Sequence, residues 1–175
     1  EIISFCAESR KFVPHFHIPL QSGSDSILKS MKRRYNADLY RSRVEYIKKL
    51  IPDCCIGVDV IVGYPGEEEE HFEQTKLFLE SIDISYLHVF SYSQRQDTRA
   101  ASLSNQVTKE NKDYRSKALH VLSNKKRTEF YNQSINTIRP VLVEQSINGN
   151  IQGFTDNYIK VNIDNNLSCQ NTIIS

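Results

Sequence analysis

The sequence contains no run of 18 or more apolar residues, which excludes a membrane-spanning helix of ordinary length. It contains no CxxC and no CxxxCxxC. Its four cysteines are Cys6, Cys54, Cys55 and Cys169. The adjacent pair lies in an alternating apolar stretch, where the two side chains point to opposite faces and chelate poorly together. The expectation is free, mostly buried thiols in a cytoplasmic protein, with no metal ligands. Net charge is also lacking: 22 Lys and Arg stand against 21 Asp and Glu, leaving +1. A general attraction to nucleic acid is therefore not visible in the total. An initiator Met is missing, and the opening EIISFCAESRKF reads as the end of a helix, not as a secretory signal. A piece of a longer polypeptide is expected.

What is present is ordinary for a globular protein: 175 residues, 39% hydrophobic and 25% charged, enough for one sizeable core plus a small module. The charges are unevenly placed. Eight Lys and Arg against two acids lie between Lys29 and Lys49, and seven acids against one Lys between Glu67 and Asp83. Between Lys109 and Arg127 the balance returns to seven bases against two acids. Either one face is basic and another acidic, or these are solvated helix faces.

The stretch HFHIPLQSGSDSILKSMKRRY, residues 15–35, begins as a strand, breaks into small polar residues and continues as a helix with a basic tail. Asn36 is placed to cap a helix running to about Leu50, with Leu39, Arg43, Tyr46, Ile47 and Leu50 as its apolar stripe. CCIGVDVIVG, residues 54–63, reads as a strand covered on both faces and interrupted by one charge, Asp59. After YPGEEEE comes a helix over about 68–81 with Phe72, Thr75, Phe78 and Leu79 inward. YLHVFS is a third strand. Thr108 caps a long helix to about Tyr131, with Tyr114, Ala118, Val121 and Leu122 as its buried stripe.

Strand–helix alternation of this kind predicts an α/β fold with a parallel sheet and right-handed crossovers. Each strand ends in a polar loop, QSGSD, GYPGE or SYSQR, and ligands in such folds gather beyond the carboxyl ends of the strands. Two readings of QSGSD stand side by side: a ligand loop with room for close backbone approach, and a plain capped strand-to-helix connection. From Arg139 onward, short β-prone segments separated by Asn, Gly and Asp turns predict a small antiparallel module. The domain boundary is expected between residues 132 and 133, giving 1–132 and 133–175. The chain stops while still β-prone, at Thr172-Ile173-Ile174-Ser175, so a truncated last module is expected.

HFHIPLQSGSDSILKSMKRRY, DVIVGYPGE and LHVFSYSQRQDTRAA, in this order and spacing, resemble the radical-SAM tRNA methylthiotransferases, most closely the subgroup acting on N6-threonylcarbamoyladenosine beside the anticodon. VLVEQS…GFTDNYIKV is similar to the TRAM domain that ends that family. The resemblance covers essentially the whole chain. It implies the carboxyl-terminal half of a partial parallel (β/α) barrel, followed by a small, incomplete antiparallel β-barrel. It also implies S-adenosylmethionine, two 4Fe–4S clusters and the tRNA anticodon loop as cofactors and partner. The cluster-binding cysteines of the family precede this region, so the fragment alone is expected to bind no cluster and to be inactive. The alternatives are a non-catalytic RNA-binding fragment and a relative that methylthiolates a protein side chain.

The resemblance assigns residues at the three loops to S-adenosylmethionine. Gln21, Ser22 and Ser24 offer donors and acceptors for ribose or the methionine end. Val62 and Gly63 offer backbone groups to the adenine edge and Tyr64 a ring beside it; Glu67 is read only as a helix-start acid. Ser91, Tyr92 and Arg95 close the third strand, Arg95 being suited to a carboxylate. Asp59 either pairs with a basic residue or faces the ligand cavity. For RNA the candidates are Lys32, Arg33, Arg34, Lys125, Lys126 and Arg127, with Arg139, Phe154, Tyr158 and Lys160 of the last module. His15, His17 and His88 lack a Cys or Asp at ligand spacing and read as hydrogen-bonded core histidines.

Overall fold

The computed structural model describes residues 1–147, 150–164 and 172–174. A short helix α1 (Ile2–Glu8) leads into strand β1 (His15–His17), helix α2 (Asp25–Ser30) and helix α3 (Ala37–Leu50). Strand β2 (Cys55–Val62), helix α4 (Glu69–Ser81), strand β3 (Tyr86–Ser91) and the long helix α5 (Lys109–Gln133) follow. The three strands form one parallel sheet in the order β1-β2-β3. Asn36 caps α3 by accepting from the Leu39 N–H, and Thr108 caps α5 by accepting from the Asn111 N–H. Glu68 and His71 form a reciprocal capping box at the start of α4.

The core lies between one face of this sheet and the helices. Ile56, Val58, Val60 and Val62 of β2 are fully buried there against Phe72, Phe78 and Leu79 of α4, Val44 and Ile47 of α3, and Leu119 of α5. Burying each such side chain contributes about 1.5–3 kcal/mol. The inward stripe of α4 is the expected one, Phe72, Thr75, Phe78 and Leu79. Two other stripes are corrected. Helix α3 buries Tyr40, Val44 and Ile47 and leaves Leu39, Tyr46 and Leu50 exposed. Helix α5 buries Arg115, Leu119, Leu122, Ser123, Lys126 and Phe130, whereas Tyr114 and Val121 are 60% and 71% exposed. In both cases the helix is rotated by about one residue from the most apolar stripe. On α5 the two inward cations reach carbonyl and carboxylate partners that offset their desolvation.

After α5 the chain forms β4 (Val141–Ile147), β5 (Asn150–Thr155), β6 (Lys160–Asp164) and β7 (Ile173–Ile174). These make a four-stranded antiparallel sheet in the order β6-β5-β4-β7. Among the described residues it is an open sheet, so the expected barrel is not formed: β6 and β7 are outer strands with no pairing between them. The sheet is tied to the base of the parallel one. Arg139 bridges Asp53 at 2.8 Å and Asp156 at 3.0 Å, Asn157 Nδ2 donates to the Asp53 carbonyl, and Tyr158 stacks on His15 at 4.0 Å. Cys55, Phe130 and Ile159 form a small apolar cluster at this junction.

Candidate functional site

The carboxyl ends of β1, β2 and β3 adjoin through backbone hydrogen bonds. The Gln21 N–H donates to Asp59 O and the Ile61 N–H to Gln21 O; the Tyr92 N–H donates to Val62 O at 2.8 Å. The three polar loops are thus held side by side at one end of the sheet. Gln21 adopts φ 72° to make its bridge to Val60, a left-handed conformation that non-glycine residues rarely take. Such strain concentrates where a loop has to present its groups in one fixed way.

The residues assigned from sequence divide by what they touch. Ser22 Oγ lies 3.1 Å from Thr75 Oγ1, and Ser24 Oγ donates to Gln74 Oε1 at 2.7 Å. Both hydroxyls therefore face α4. Gly23 completes this contact: a Cβ there would lie 2.8 Å from Thr75 Cα and 2.9 Å from Phe78 Cβ. The small residues of QSGSD admit a helix at close approach, which is a packing role. The Gln21 side chain makes no hydrogen bond to the described residues. Ser91 and Arg95 are exposed. The Tyr92 hydroxyl is buried without a partner among the described residues, with its ring edge-on to Tyr64 at 5.6 Å. A buried hydroxyl left unpaired is costly, and a polar ligand group entering between these loops would relieve it.

Glu67, read from sequence only as a helix-start acid, holds the second loop. Its Oε2 accepts from the Gly63 N–H at 2.6 Å and from Arg115 Nη1 at 3.0 Å. Arg115 also donates to the Glu67 carbonyl and to Glu69. The Gly63 N–H is thereby committed internally, and Gly63 needs its φ of 76°. Burial pushes the Glu67 carboxyl above its ordinary range, against the pull of the Gly63 N–H and the Arg115 charge. Arg115 lies one residue off the expected α5 stripe of Tyr114, Ala118, Val121 and Leu122; its spacing with Leu119, Leu122 and Lys126 was the available signal.

Lower on the sheet, on the face away from the helices, Asp59 pairs with His17 Nε2 at 2.7 Å. His17 and His88 are exposed and their rings stack at 5.2 Å, so they are not core histidines. His15, partly buried, meets the Tyr86 hydroxyl at 3.0 Å.

The basic clusters are also sorted. Lys32, Arg33 and Arg34 are exposed together after α2. Lys126 is corrected: its Nζ donates to the carbonyls of Glu80 and Ile82, and burial lowers its pKa. Lys125 and Arg127 remain exposed, with Arg127 over the Tyr86 ring. Arg139 is held by Asp53 and Asp156. Lys160 and Tyr158 are exposed, and Phe154 lies 4.9 Å from the Tyr158 ring. The described cysteines do not fit an iron–sulfur cluster. Cys54 and Cys55 are adjacent and buried, both thiols pushed up to about 11 by burial, and Cys6 lies apart on α1.

Residues 1–79 match the Radical SAM superfamily. The threonylcarbamoyladenosine tRNA methylthiotransferase MtaB of Bacillus subtilis (strain 168) is 39% identical over 166 residues, covering 92% of this chain and 37% of that protein. Its counterpart from Aquifex aeolicus (strain VF5) is 39% identical, with 92% and 38% covered. The tRNA-2-methylthio-N(6)-dimethylallyladenosine synthase of Endomicrobium trichonymphae is 38% identical, again with 92% and 38% covered. The chain spans about two fifths of the length of the curated relatives it matches. Its first 79 residues thus match the Radical SAM superfamily, and the chain is homologous over 92% of its length to the tRNA methylthiotransferases.

Proposed function

We propose that this chain is part of an enzyme that methylthiolates C2 of N6-threonylcarbamoyladenosine in the anticodon loop of tRNA, and that its share is to bind S-adenosylmethionine and RNA. The observation that carries the reading is the alignment of three polar strand tips in one hydrogen-bonded row, in a chain homologous to methylthiotransferases. When bound, S-adenosylmethionine and iron–sulfur clusters would supply the radical, sulfur and methyl group; the described residues of this chain hold no cluster.

Gln21, the backbone of Val62 and the carbonyl of Gly63, Tyr64, Ser91, Tyr92 and Arg95 are the groups that would hold S-adenosylmethionine. The Tyr92 hydroxyl, buried and unpaired among the described residues, fits a polar ligand. Arg95 suits the methionine carboxylate, which a guanidinium grips through two parallel hydrogen bonds. Ser22 and Ser24 would act one step back, by fixing the first loop to α4. The salt-bridged Glu67 fixes the second. Binding, orientation and exclusion of water are the protein's part in such chemistry.

RNA contact is assigned to Lys32, Arg33, Arg34, Lys125 and Arg127, with Tyr158, Phe154 and Lys160 offering rings and charge from the last sheet. The threonylcarbamoyl substrate is supported by the Bacillus and Aquifex relatives. Relatives named for dimethylallyladenosine are nearly as similar, so the side chain on N6 is the point to test. In the whole protein with clusters rebuilt, mass spectrometry of tRNA nucleosides should show a methylthio group on threonylcarbamoyladenosine. Modification of dimethylallyladenosine instead would refute the substrate, and unmodified tRNA would refute the reaction.

A further inference from the structure

We propose that His17, Asp59 and His88 form a binding site for one divalent transition-metal ion of the zinc class. The three side chains come from three neighbouring strands, β1, β2 and β3, on the face opposite the helices. One ligand atom from each lies within 4.8 Å of the other two. His17 Nε2 and Asp59 Oδ1 are 2.7 Å apart, and the two imidazole rings stack at 5.2 Å with 15° between their planes. This site is independent of the methylthiotransferase reading. Its nitrogen and oxygen donors are also distinct in kind from the thiolates that hold iron–sulfur clusters.

Four observations point to a cation. First, two imidazoles and one carboxylate are a donor set that suits zinc and its neighbours in the first transition row. Second, a hydrogen bond from His17 would be enough to satisfy Asp59, yet a second imidazole is brought beside the pair. His88 makes only ring contacts, with His17 and Tyr86, among the described residues. Third, no Lys or Arg of the described residues bridges Asp59, so its charge has no fixed cationic partner. Fourth, the site opens to solvent, with the His17 and Asp59 side chains 43% and 20% exposed, so an ion can enter.

Tetrahedral zinc with nitrogen ligands at 2.0–2.1 Å places its donors about 3.3 Å apart. The His17–Asp59 pair, hydrogen-bonded at 2.7 Å, has only to open by about 0.6 Å to admit the ion. Closing His88 onto the ion needs at most about 1.5 Å of side-chain movement, since no two of the three ligand atoms are more than 4.8 Å apart. The paired strand backbones fix the three Cα positions in advance. Three protein ligands leave one position for water or an external ligand, the arrangement of an open site.

The test uses the chain stripped of metal by a chelator, in a Cys6→Ser, Cys169→Ser background so that those thiols cannot compete. Cobalt(II) is titrated while visible absorption is followed, and zinc is then used to displace it. The expected result is one saturable equivalent with d–d bands and no intense thiolate charge-transfer band. His17→Gln, Asp59→Asn and His88→Gln should each weaken binding at least about tenfold, and His120→Gln should leave it unchanged. Zinc should raise the thermal midpoint of the parent chain and not that of the His17→Gln, His88→Gln pair. As a check that needs no variant at the site, cobalt should broaden the imidazole resonances of His17 and His88 before those of His71 and His120. Absence of saturable binding, unchanged affinity in the double variant, a thiolate band, or first broadening at His71 or His120 would each overturn the site.

Discussion

Replacing Arg115 by Met should destabilise the fold by about 3–5 kcal/mol, the range for removing one partner of a buried ion pair. The Arg115 and Glu67 side chains are only 3% and 1% exposed. The substitution removes donors from Glu67 Oε2, from the Glu67 carbonyl and from Glu69. It leaves the Glu67 carboxylate buried with the Gly63 N–H as its remaining partner. For a chain of this length, 1 kcal/mol corresponds to roughly 2–4 °C in thermal midpoint, so a fall of about 6–20 °C is expected. Urea unfolding followed by far-ultraviolet circular dichroism measures the same change. Glu67→Gln should cost less, about 1–3 kcal/mol, because the amide oxygen still accepts from Gly63. Arg115→Met combined with Glu67→Met should recover part of the loss, since no charge is then stranded. A loss below 1 kcal/mol for Arg115→Met, with cooperative unfolding retained, would refute the claim that this pair holds the second loop.

Other consequences follow from the same geometry. Gly23→Ala should cost about 1–3 kcal/mol in urea unfolding by pushing α4 away, because its Cβ would lie 2.8 Å from backbone at Thr75; a neutral effect would contradict the close approach. At pH 8 an alkylating agent should label the half-buried Cys6 quickly and leave Cys54 and Cys55 unmodified until unfolding, as peptide mass mapping would show. An unperturbed thiol ionises near 9 and the two buried thiols near 11, so the native state binds more protons between those values. Stability should therefore fall as pH rises from 9 to 11, and Cys54→Ala with Cys55→Ala should flatten that fall. Changing Lys32, Arg33 and Arg34 together to Ala should weaken tRNA binding and make its salt dependence shallower by about 1–3 in log–log slope. Lys126→Ala should leave that slope unchanged and lower the thermal midpoint.

The parts of the fold readable from sequence are those decided locally. Asn36 and Thr108 cap helices because a side-chain oxygen needs only its own backbone three residues on. The α4 stripe was legible because, Leu77 apart, its apolar residues fall on one face and the other positions are mainly charged. The α3 and α5 stripes were not, because each helix carries apolar residues on more than one face and the neighbouring elements decide which is buried. Arg115 illustrates the limit: its carboxylate partner lies 48 residues earlier in the chain. For the site, the strand ends were readable from the change of composition at each loop. What each hydroxyl touches was not, since Ser22 and Ser24 face residues of α4 some 50 positions away. His17, Asp59 and His88 looked unrelated because only the parallel register brings them together.

The central claim is that three adjoining strand tips hold S-adenosylmethionine. Equilibrium binding of that cosubstrate to the whole protein tests it most directly, with Arg95→Ala and Gln21→Asn as the perturbations. Asn tolerates the left-handed backbone at position 21 while drawing the amide back. Each change removes one or two hydrogen bonds, so affinity should fall about five- to tenfold or more with the thermal midpoint of the free protein unmoved. Affinities within twofold of the parent for both variants would contradict the account.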